Sequence, residues 1–294
     1  MAYVATLCRD DADGEGVRVP NWFFYLALAV FGLIFGSFAN VVIWRVPRSE
    51  SLSVPGSHCP KCGHPVRGYD NIPVVSWLVL RARCRDCGAP ISWRYPAVEA
   101  TSGVLWVSAG IAFGVTLLTP VAIFLFYMLL VLTFIDVDTM RIPNPLVAML
   151  AVVGLLAAIA SQVLHVEVAP LMGIAPDGAF SSPLVMALVG AVLGGGLVWT
   201  VAGLYQALRR RSGLGFGDVK LLAAMGLYLG PYVLLVVFLG SLLGAIYGIA
   251  AGLSKRELFT ARIPFAPFLA TAGVLVALFG PTLWSWYGHL VGIA

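Results

Sequence analysis

The sequence predicts an all-α polytopic integral membrane protein with about eight transmembrane helices and a small cytoplasmic zinc-binding module between the first and second spans. Of its 294 residues, 60% are hydrophobic and only 11% are charged, whereas soluble domains carry roughly 25% charged residues. The apolar residues occur in runs near the ~20 residues that a helix needs to cross a bilayer. This composition excludes a soluble globular enzyme.

Eight hydrophobic segments are predicted to span the membrane. Their approximate limits are 22–44, 97–118, 121–137, 145–165, 184–207, 218–231, 232–253 and 264–288. The sixth segment is short and rich in glycine, so we expect it to be tilted or partly re-entrant. The predicted organisation is an extracytoplasmic tail over 1–21, a first transmembrane helix over 22–44, a cytoplasmic module over 45–96 and a seven-helix membrane domain over 97–294.

The distribution of Lys and Arg predicts the orientation, because the cytoplasmic loops of membrane proteins are enriched in both. Of the 18 Lys and Arg residues, all except Arg9 and Arg18 fall on one side of an alternating path with eight spans. This path places both termini outside the cytoplasm and the 45–96 module inside it. No cleavable signal peptide is predicted, because the first 20 residues are polar and acidic.

Four of the five cysteines form two pairs, Cys59-x2-Cys62 and Cys84-x2-Cys87. Two such pairs are typical of a structural zinc site with four thiolate ligands. The soluble segment is too short to build a firm hydrophobic core, so a bound metal would supply the missing stability. Each pair is followed by a glycine, as in paired zinc knuckles. A redox pair or chance spacing are the alternative interpretations.

Two aspartates stand out in this apolar chain, because a carboxylate at the edge of the bilayer core is costly and marks a functional site by default. Asp136 ends the hydrophobic run FLFYMLLVLTFID, and Asp218 begins another. Both are predicted to lie at the cytoplasmic membrane face. If they lie within hydrogen-bonding reach, they would share one proton, as an acid–base pair that activates water requires. Simple capping of a helix by Asp218 explains the spacing equally well.

Five further residues are candidates for supporting roles. Asp138 lies two positions after the first aspartate and therefore about 200° around a helix from it, which indicates a solvated or capping residue. Glu99 is interpreted as an anion at a helix N-terminus. Lys220 either anchors the chain at the cytoplasmic face or stabilises a nearby carboxylate. Gly215 and Gly217 permit unusual backbone angles and the close approach of a substrate strand.

Several ordered motifs resemble those of the type IV prepilin peptidases, or leader peptidases, which are aspartyl proteases of the GxGD group. The similarity runs from about Gly36 to Gly230 and is carried by GSFANVVIWRVP, the two cysteine pairs, ISWRYPAVE, IDVDTMRIPN and GFGDVKLLAAMG. The catalytic motifs of the family fall on Asp136 and Asp218, which singles out Asp136 over Asp138. Asn144 departs from the family pattern, which often has an acidic residue there.

The resemblance implies an aspartic endopeptidase of the bacterial inner membrane, with its active site at the cytoplasmic face and its membrane peptidase domain over 97–294. Such enzymes remove the basic leader of prepilins or pseudopilins after a glycine. The long, zinc-bearing form is associated with a second reaction, N-methylation of the new N-terminal residue with S-adenosylmethionine. The expected partners are pilin precursors and the lipid bilayer, with no nucleic acid. No residue of this chain is assigned to the methyl donor.

Other functions compete with this prediction. A membrane transporter would bind cations with such carboxylates, but transporters place their sites near the bilayer midplane, where no charge is predicted here. A zinc-bearing membrane scaffold without protease activity would leave the two aspartate motifs unexplained. Within the enzymes, the alternatives are a peptidase that lacks methylation and a protein that mainly methylates. The mass of processed pilin distinguishes these.

Overall fold

The computed structural model describes residues 21–166, 171, 182–209, 215–255 and 263–291. Within these ranges the regular secondary structure is helical. The helices are α1 (Asn21–Arg45), α2 (Val75–Val79), α3 (Arg94–Phe113), α4 (Leu118–Thr139), α5 (Asn144–Leu164), α6 (Pro183–Arg209), α7 (Phe216–Leu229), α8 (Val233–Lys255) and α9 (Ala266–Val291). The predicted N-terminal tail, including Cys8, lies outside the described residues apart from its last position.

The predicted limits of the spans agree with the helices to within three residues at every end but one. The exception is α3, which ends at Phe113 rather than near residue 118. Gly114 follows it with a φ of 64° and a ψ of −154°, a backbone conformation that is open to glycine but strained for other residues. A glycine within an apolar run therefore ends the helix where hydrophobicity alone predicts continuation.

Seven helical segments in the described part of the chain are long and apolar enough to cross a membrane. One of them, Phe216–Ala250, contains both α7 and α8. Gly248 of α8 is beside Ile263, just before α9, and Asp218 near the start of α7 lies close to Asp136, which binds the first residue of α9. The start of α7 and the end of α8 therefore lie at the same end of the bundle. At the opposite end, the carbonyl of Tyr228 in the last turn of α7 accepts a hydrogen bond from residue 171. The two helices therefore form a hairpin, and the prediction of about eight membrane helices is confirmed.

Helix α7 has only 14 residues and is about 21 Å long at 1.5 Å per residue. The hydrocarbon core of a bilayer is ~30 Å thick, so α7 is short for a spanning helix, as the sequence predicts. It packs tightly against α6, where a Cβ on Gly190 or Gly226 would collide with the backbone of the facing helix. Small residues at membrane helix contacts permit this approach, and the contact holds α7 in place.

Helix α4 lies at the centre of the bundle and packs against α1, α3, α5 and α9. It is apolar all round, as a helix buried on every side requires. Leu125, Phe126, Leu129 and Leu132 have no exposed surface or less than 2%. A carboxylate in the last turn of such a helix is therefore enclosed by protein.

The segment between α1 and α3 forms the predicted small module. The buried guanidinium of Arg45, at the end of α1, donates hydrogen bonds to the backbone carbonyls of Ser51 (2.8 Å) and Pro55 (2.5 Å). At the other end, the Val74 N–H donates to the Glu99 carboxylate of α3 (2.7 Å). Both membrane helices that flank the module therefore hold it by hydrogen bonds to its backbone.

Candidate active site and thiolate cluster

Asp136 lies in the last turn of α4 and is 6% exposed. Its Oδ2 atom accepts a hydrogen bond from the Ala266 N–H at the first residue of α9, with an N···O distance of 3.0 Å. The backbone of Phe265 is a second hydrogen-bonding partner. The first N–H groups of a helix have no partner within that helix, and they suit a negative charge. The start of α9 therefore holds a carboxylate that belongs to α4.

Asp218 is the third residue of α7 and is 8% exposed. Its carboxyl is hydrogen-bonded to the backbone of Gly215, and its own N–H donates to the Gly215 carbonyl (3.0 Å). An acidic third residue that binds the N-cap backbone forms one half of a capping box, and the other half is missing because Gly215 has no side chain. The capping role that the sequence left open is thus present in the structure.

The structure brings the two aspartates together. The carboxyls of Asp136 and Asp218 are close enough for their charges to interact. Within the described residues no direct hydrogen bond joins them, and each is held separately by backbone groups. The fully buried side chains of Ile135 and Leu221 are their chain neighbours on α4 and α7. Two aspartates that are 82 residues apart in the chain thus lie near each other at two helix ends, and their pairing as a catalytic dyad stays a prediction.

The two glycines before Asp218 do not have unusual backbone angles. Gly215 has a φ of −72°, and Gly217 is not among the residues with positive φ, so this part of the prediction is wrong. Glycine is needed at these two positions because a larger side chain would not fit. A Cβ on Gly217 would lie 3.1 Å from the Cβ of Ile142, and one on Gly215 would lie 3.2 Å from Oδ2 of Asp218. Gly217 thereby lets α7 approach the α4–α5 connection.

Asp138 points away from the site and is partly exposed to solvent, as its spacing predicts, but it is not a cap. It forms a bidentate ion pair with Arg94 at the start of α3, with N···O distances of 2.7 and 2.6 Å. The Arg94 guanidinium also lies over the ring of Phe134. Sequence reasoning missed Arg94, although the residue is part of the ISWRYPAVE motif. The pair fixes the end of α4 against the start of α3.

Lys220 and Glu99 bind elsewhere than expected. The Lys220 ammonium donates to the Asn144 side chain (2.9 Å) and lies over the ring of Phe216, so its partner is an amide and not a catalytic carboxylate. Glu99 is the sixth residue of α3, beyond its first turn, because the helix begins earlier than predicted. Its carboxylate accepts the Val74 N–H of the module instead of capping its own helix.

A cavity of about 420 Å³ lies beside the α4–α5 connection and the end of α1. Its lining residues are Val46, Pro47, Thr139, Arg141, Ile142, Pro143 and Asn144. A second cavity of about 380 Å³ lies between α5, α6 and α7 and is lined mainly by small apolar residues.

The four predicted metal-binding cysteines form one cluster. The Sγ atoms of Cys59, Cys62, Cys84 and Cys87 all lie within 4.8 Å of one another. The Sγ atoms of Cys59 and Cys87 are 3.8 Å apart. Four sulfur atoms at ~2.3 Å from a central zinc ion would be about 3.8 Å apart in a tetrahedron. The donor set and its spacing therefore fit a metal ion.

The two cysteine pairs adopt the same backbone conformation. In each, the glycine N–H donates to the carbonyl of the first cysteine (2.9 Å in both), and the glycine φ is positive, 74° at Gly63 and 69° at Gly88. The similarity extends to two isolated antiparallel β-bridges, one between His58 and Pro65 and one between Arg83 and Pro90. The Cys-x-x-Cys-Gly-x-Pro repeat behind this likeness is visible in the sequence, and sequence reasoning missed its full length.

Two ion pairs fix the second cysteine turn against the segment that follows the first. Arg85 binds Asp70 (2.7 Å), and Asp86 binds Arg67 (3.0 Å). The side-chain hydrogen bond from Arg85 lowers the pKa of Asp70. Backbone N–H groups, of Cys62 first, lower the pKa of the Cys59 thiol, whereas the pKa of the neighbouring Cys62 thiol is raised, so without a metal the first of these two sulfurs ionises more readily.

The fold and the site define a class of protein: a multi-pass helical membrane protein with two buried, interacting carboxylates at one end of its bundle and a four-thiolate module beside them. The sequence comparisons then give the family. Residues 123–249 match the type IV leader peptidase family, and residues 30–113 match the bacterial peptidase A24 N-terminal domain. The chain therefore belongs to the type IV leader peptidase family.

Three relatives illustrate the similarity, each named prepilin leader peptidase/N-methyltransferase. The protein of Aeromonas hydrophila is 37% identical over 90% of this chain and 94% of its own. The protein of Neisseria gonorrhoeae is 34% identical over 90% of this chain and 94% of its own. The protein of Dichelobacter nodosus is 33% identical over 94% of this chain and 98% of its own. No solved structure matches. These relatives confirm the predicted family and enzyme class, and nothing in the comparisons favours a transporter or a scaffold.

Proposed function

We propose that this chain is a prepilin leader peptidase of the bacterial inner membrane, which cleaves type IV prepilins or pseudopilins after a glycine with Asp136 and Asp218 as its catalytic pair. One observation carries the proposal: the two carboxyls, from different helices, are buried together at one end of the bundle. The site is consistent with the names of the relatives, which are peptidases and methyltransferases.

The chemistry needs one carboxylate and one carboxylic acid. The carboxylate takes a proton from a water molecule as the water oxygen attacks the scissile carbonyl carbon, and the acid gives its proton to the amide nitrogen. The C–N bond then breaks, which leaves a carboxylate on the leader and a new amine on the mature subunit. Two interacting buried carboxyls favour this division, because like charges at short range do not both ionise readily.

The position of the site suits its substrate. The apolar helix of the mature subunit begins just after the cleavage point, so the scissile bond lies where the bilayer core ends. The ends of α4 and α7 hold the two aspartates at the corresponding end of the bundle. The Lys and Arg distribution assigns this end to the cytoplasm, with both termini on the other side.

We further propose that the four cysteines bind a structural zinc ion. Four thiolates complete the tetrahedral shell of a structural site, whereas catalytic zinc keeps one position open. His58 and His64 are exposed beside the first pair and are not needed as ligands. The metal would hold together a module whose remaining support is two ion pairs and a few hydrogen bonds.

The methyltransferase activity of the relatives implies S-adenosylmethionine, and the cavity beside the α4–α5 connection fits such a ligand. Its volume of about 420 Å³ suits a nucleoside-sized molecule, and the exposed Arg141 guanidinium at its edge could bind a carboxylate. The donor, when bound, supplies an electrophilic methyl group to the new terminal amine. In this proposal Arg141 and Asn144 would hold the donor near the end of α4.

Co-expression with a prepilin tests the proposal. Wild-type protein should yield a mature subunit that lacks its leader by mass spectrometry, whereas Asp136→Asn and Asp218→Asn should leave the prepilin uncut. Asp177→Asn, between the predicted spans 145–165 and 184–207, is the matched control and should process normally. Normal processing by both active-site variants would exclude the proposed catalytic pair. The same spectra show whether the new terminus carries a methyl group.

A further inference from the structure

We propose that the segment Pro264–Phe265–Ala266, which starts α9, positions Asp136 for catalysis through its backbone N–H groups. This inference rests on the proposed function of Asp136. Its basis is the hydrogen bond from the Ala266 N–H to Oδ2 of Asp136 (3.0 Å), with the Phe265 backbone as the second partner. The donor and the acceptor are 130 residues apart in the chain.

The two aspartates are held in different ways. Asp218 is held by Gly215, three residues earlier in the same chain segment, so its orientation follows from the local conformation of α7. Asp136 ends α4, where its own helix presents carbonyls and no free N–H group. Its donors come from α9, so its orientation depends on how α9 packs against α4.

The start of α9 has features of a rigid support. Pro264 and Pro267 flank the two donor residues, and proline restricts φ to about −65°. Ala266 is fully buried. The Phe265 ring covers Gly244 of α8, where an added Cβ would lie 3.1 Å from the ring. A side chain at Gly244 would push this ring aside, so glycine permits the close approach of α8.

Helix α9 is also fitted closely to the helices that carry the aspartates. Gly273 faces both Leu129 of α4 and Met225 of α7; an added Cβ there would lie 3.3 Å from Leu129 Cδ1 and would collide with Met225. One helix therefore packs against both of the helices that carry the aspartates. A shift of α9 would alter the hydrogen bond to Asp136 while that of Asp218 stays intact.

Proline at position 266 removes the N–H donor with little change to the helix. Ala266 is the first residue of α9, and proline is well tolerated at the first helical position because its missing N–H lies outside the helical hydrogen-bond ladder. Ala266→Pro should lower kcat for prepilin cleavage roughly 10- to 100-fold, the range for a lost hydrogen bond to a charged group. KM should stay within about twofold, because the peptide does not contact this N–H.

Three further variants distinguish the effect of losing the backbone N–H donor from the effect of altered packing. Ala266→Gly keeps the N–H and should lose less than about threefold in kcat. Pro264→Gly keeps both donors but loosens them and should give an intermediate loss. Pro281→Ala changes a proline of the same helix, about 22 Å along α9 from Ala266 at 1.5 Å per residue, and should cleave like the wild type. The pH dependence of kcat should change in Ala266→Pro and stay unchanged in Pro281→Ala.

Wild-type kcat and pH dependence in Ala266→Pro would overturn the inference, as would an equal loss in Ala266→Gly, which would indicate packing alone. If Ala266→Pro does not accumulate in the membrane, the kcat of Pro264→Gly is the test instead. An unchanged kcat in Pro264→Gly would contradict the positioning role. Full cleavage by Asp136→Asn would instead exclude the proposed function itself, so the two failures are distinguishable.

Discussion

The guanidinium of Arg94 binds both carboxylate oxygens of Asp138, two residues beyond Asp136 on the same helix. The ion pair uses Asp138 to fix α4 against α3, while Asp136 remains available to interact with Asp218. Two aspartates that are nearly adjacent in sequence thus have different partners. Their opposite directions around the helix are the physical reason.

This difference predicts unequal effects of the same substitution. Asp138→Asn weakens a partly exposed ion pair, which is worth at most about 1 kcal/mol, and cleavage should fall less than about tenfold. Asp136→Asn removes the carboxyl that the proposed function assigns to proton transfer and should lower kcat by ~10³-fold or more. Initial rates of prepilin cleavage measure both. Equal losses in the two variants would contradict the separate roles.

Loss of the proposed zinc ion should loosen the module without unfolding the membrane helices. Cys59→Ser and Cys84→Ser should each abolish stoichiometric zinc in the purified protein, because the site has no spare thiolate. The module contains several Lys and Arg residues, so trypsin should then cut between residues 51 and 93. Metal analysis and mass mapping of the fragments measure this. Cys8→Ser is the control and should keep one zinc ion per chain; zinc retained in both site variants would exclude the four-thiolate site.

The module should also depend on pH through Asp70. Arg85 lowers the pKa of Asp70 in the folded protein, below the ~3.9 of an unfolded aspartate. A lowered folded-state pKa contributes stability that is present above the unfolded value and is lost as pH falls through the folded value. Hydrogen exchange of peptides from 65–91, corrected for the intrinsic rate, should be faster in Asp70→Asn than in wild type at pH 7. This difference should disappear as the pH falls below about 4; a difference that persists at low pH would contradict this role.

Because α6 and α7 are in close contact, replacing a glycine at this contact should lower stability, whereas replacing a glycine elsewhere on α6 should not. A Cβ at Gly190 would collide with the backbone at Gly226 and Gly230, so Gly190→Ala should lower stability by roughly 1–3 kcal/mol. It should also reduce cleavage, because α7 carries Asp218. Gly196→Ala on the same helix is the matched control, since the nearest atom to its added Cβ is 3.9 Å away. Thermal unfolding in detergent compares them, and equal melting temperatures would contradict the prediction.

The membrane helices could be predicted closely, because each one is an apolar run bounded by polar or glycine residues. The short α7 was also visible in the sequence, as was the face on which the basic residues cluster. The thiolate cluster was predictable because its spacing is local. A metal site built from two Cys-x-x-Cys turns needs only one long-range contact, between the turns.

The partners of the polar side chains could not be predicted in the same way. Lys220 lies two residues from Asp218 on α7, yet it binds Asn144 at the start of α5. Glu99 resembles a cap but binds the module. In each case the hydrogen-bond partner belongs to a segment that is distant in sequence, and helix packing sets the position of that segment. The space around Gly217 is another example, because it depends on the position of Ile142.

The sequence by itself determined the membrane helices, the thiolate ligands and the two aspartates, because apolar run length, cysteine spacing and the cost of a carboxylate near lipid are local properties. Only the tertiary structure decided which backbone groups hold Asp136. Its donors are free N–H groups at the start of α9, and backbone N–H groups have no signature in an amino-acid sequence. Their direction is fixed by how α9 packs between α4, α7 and α8.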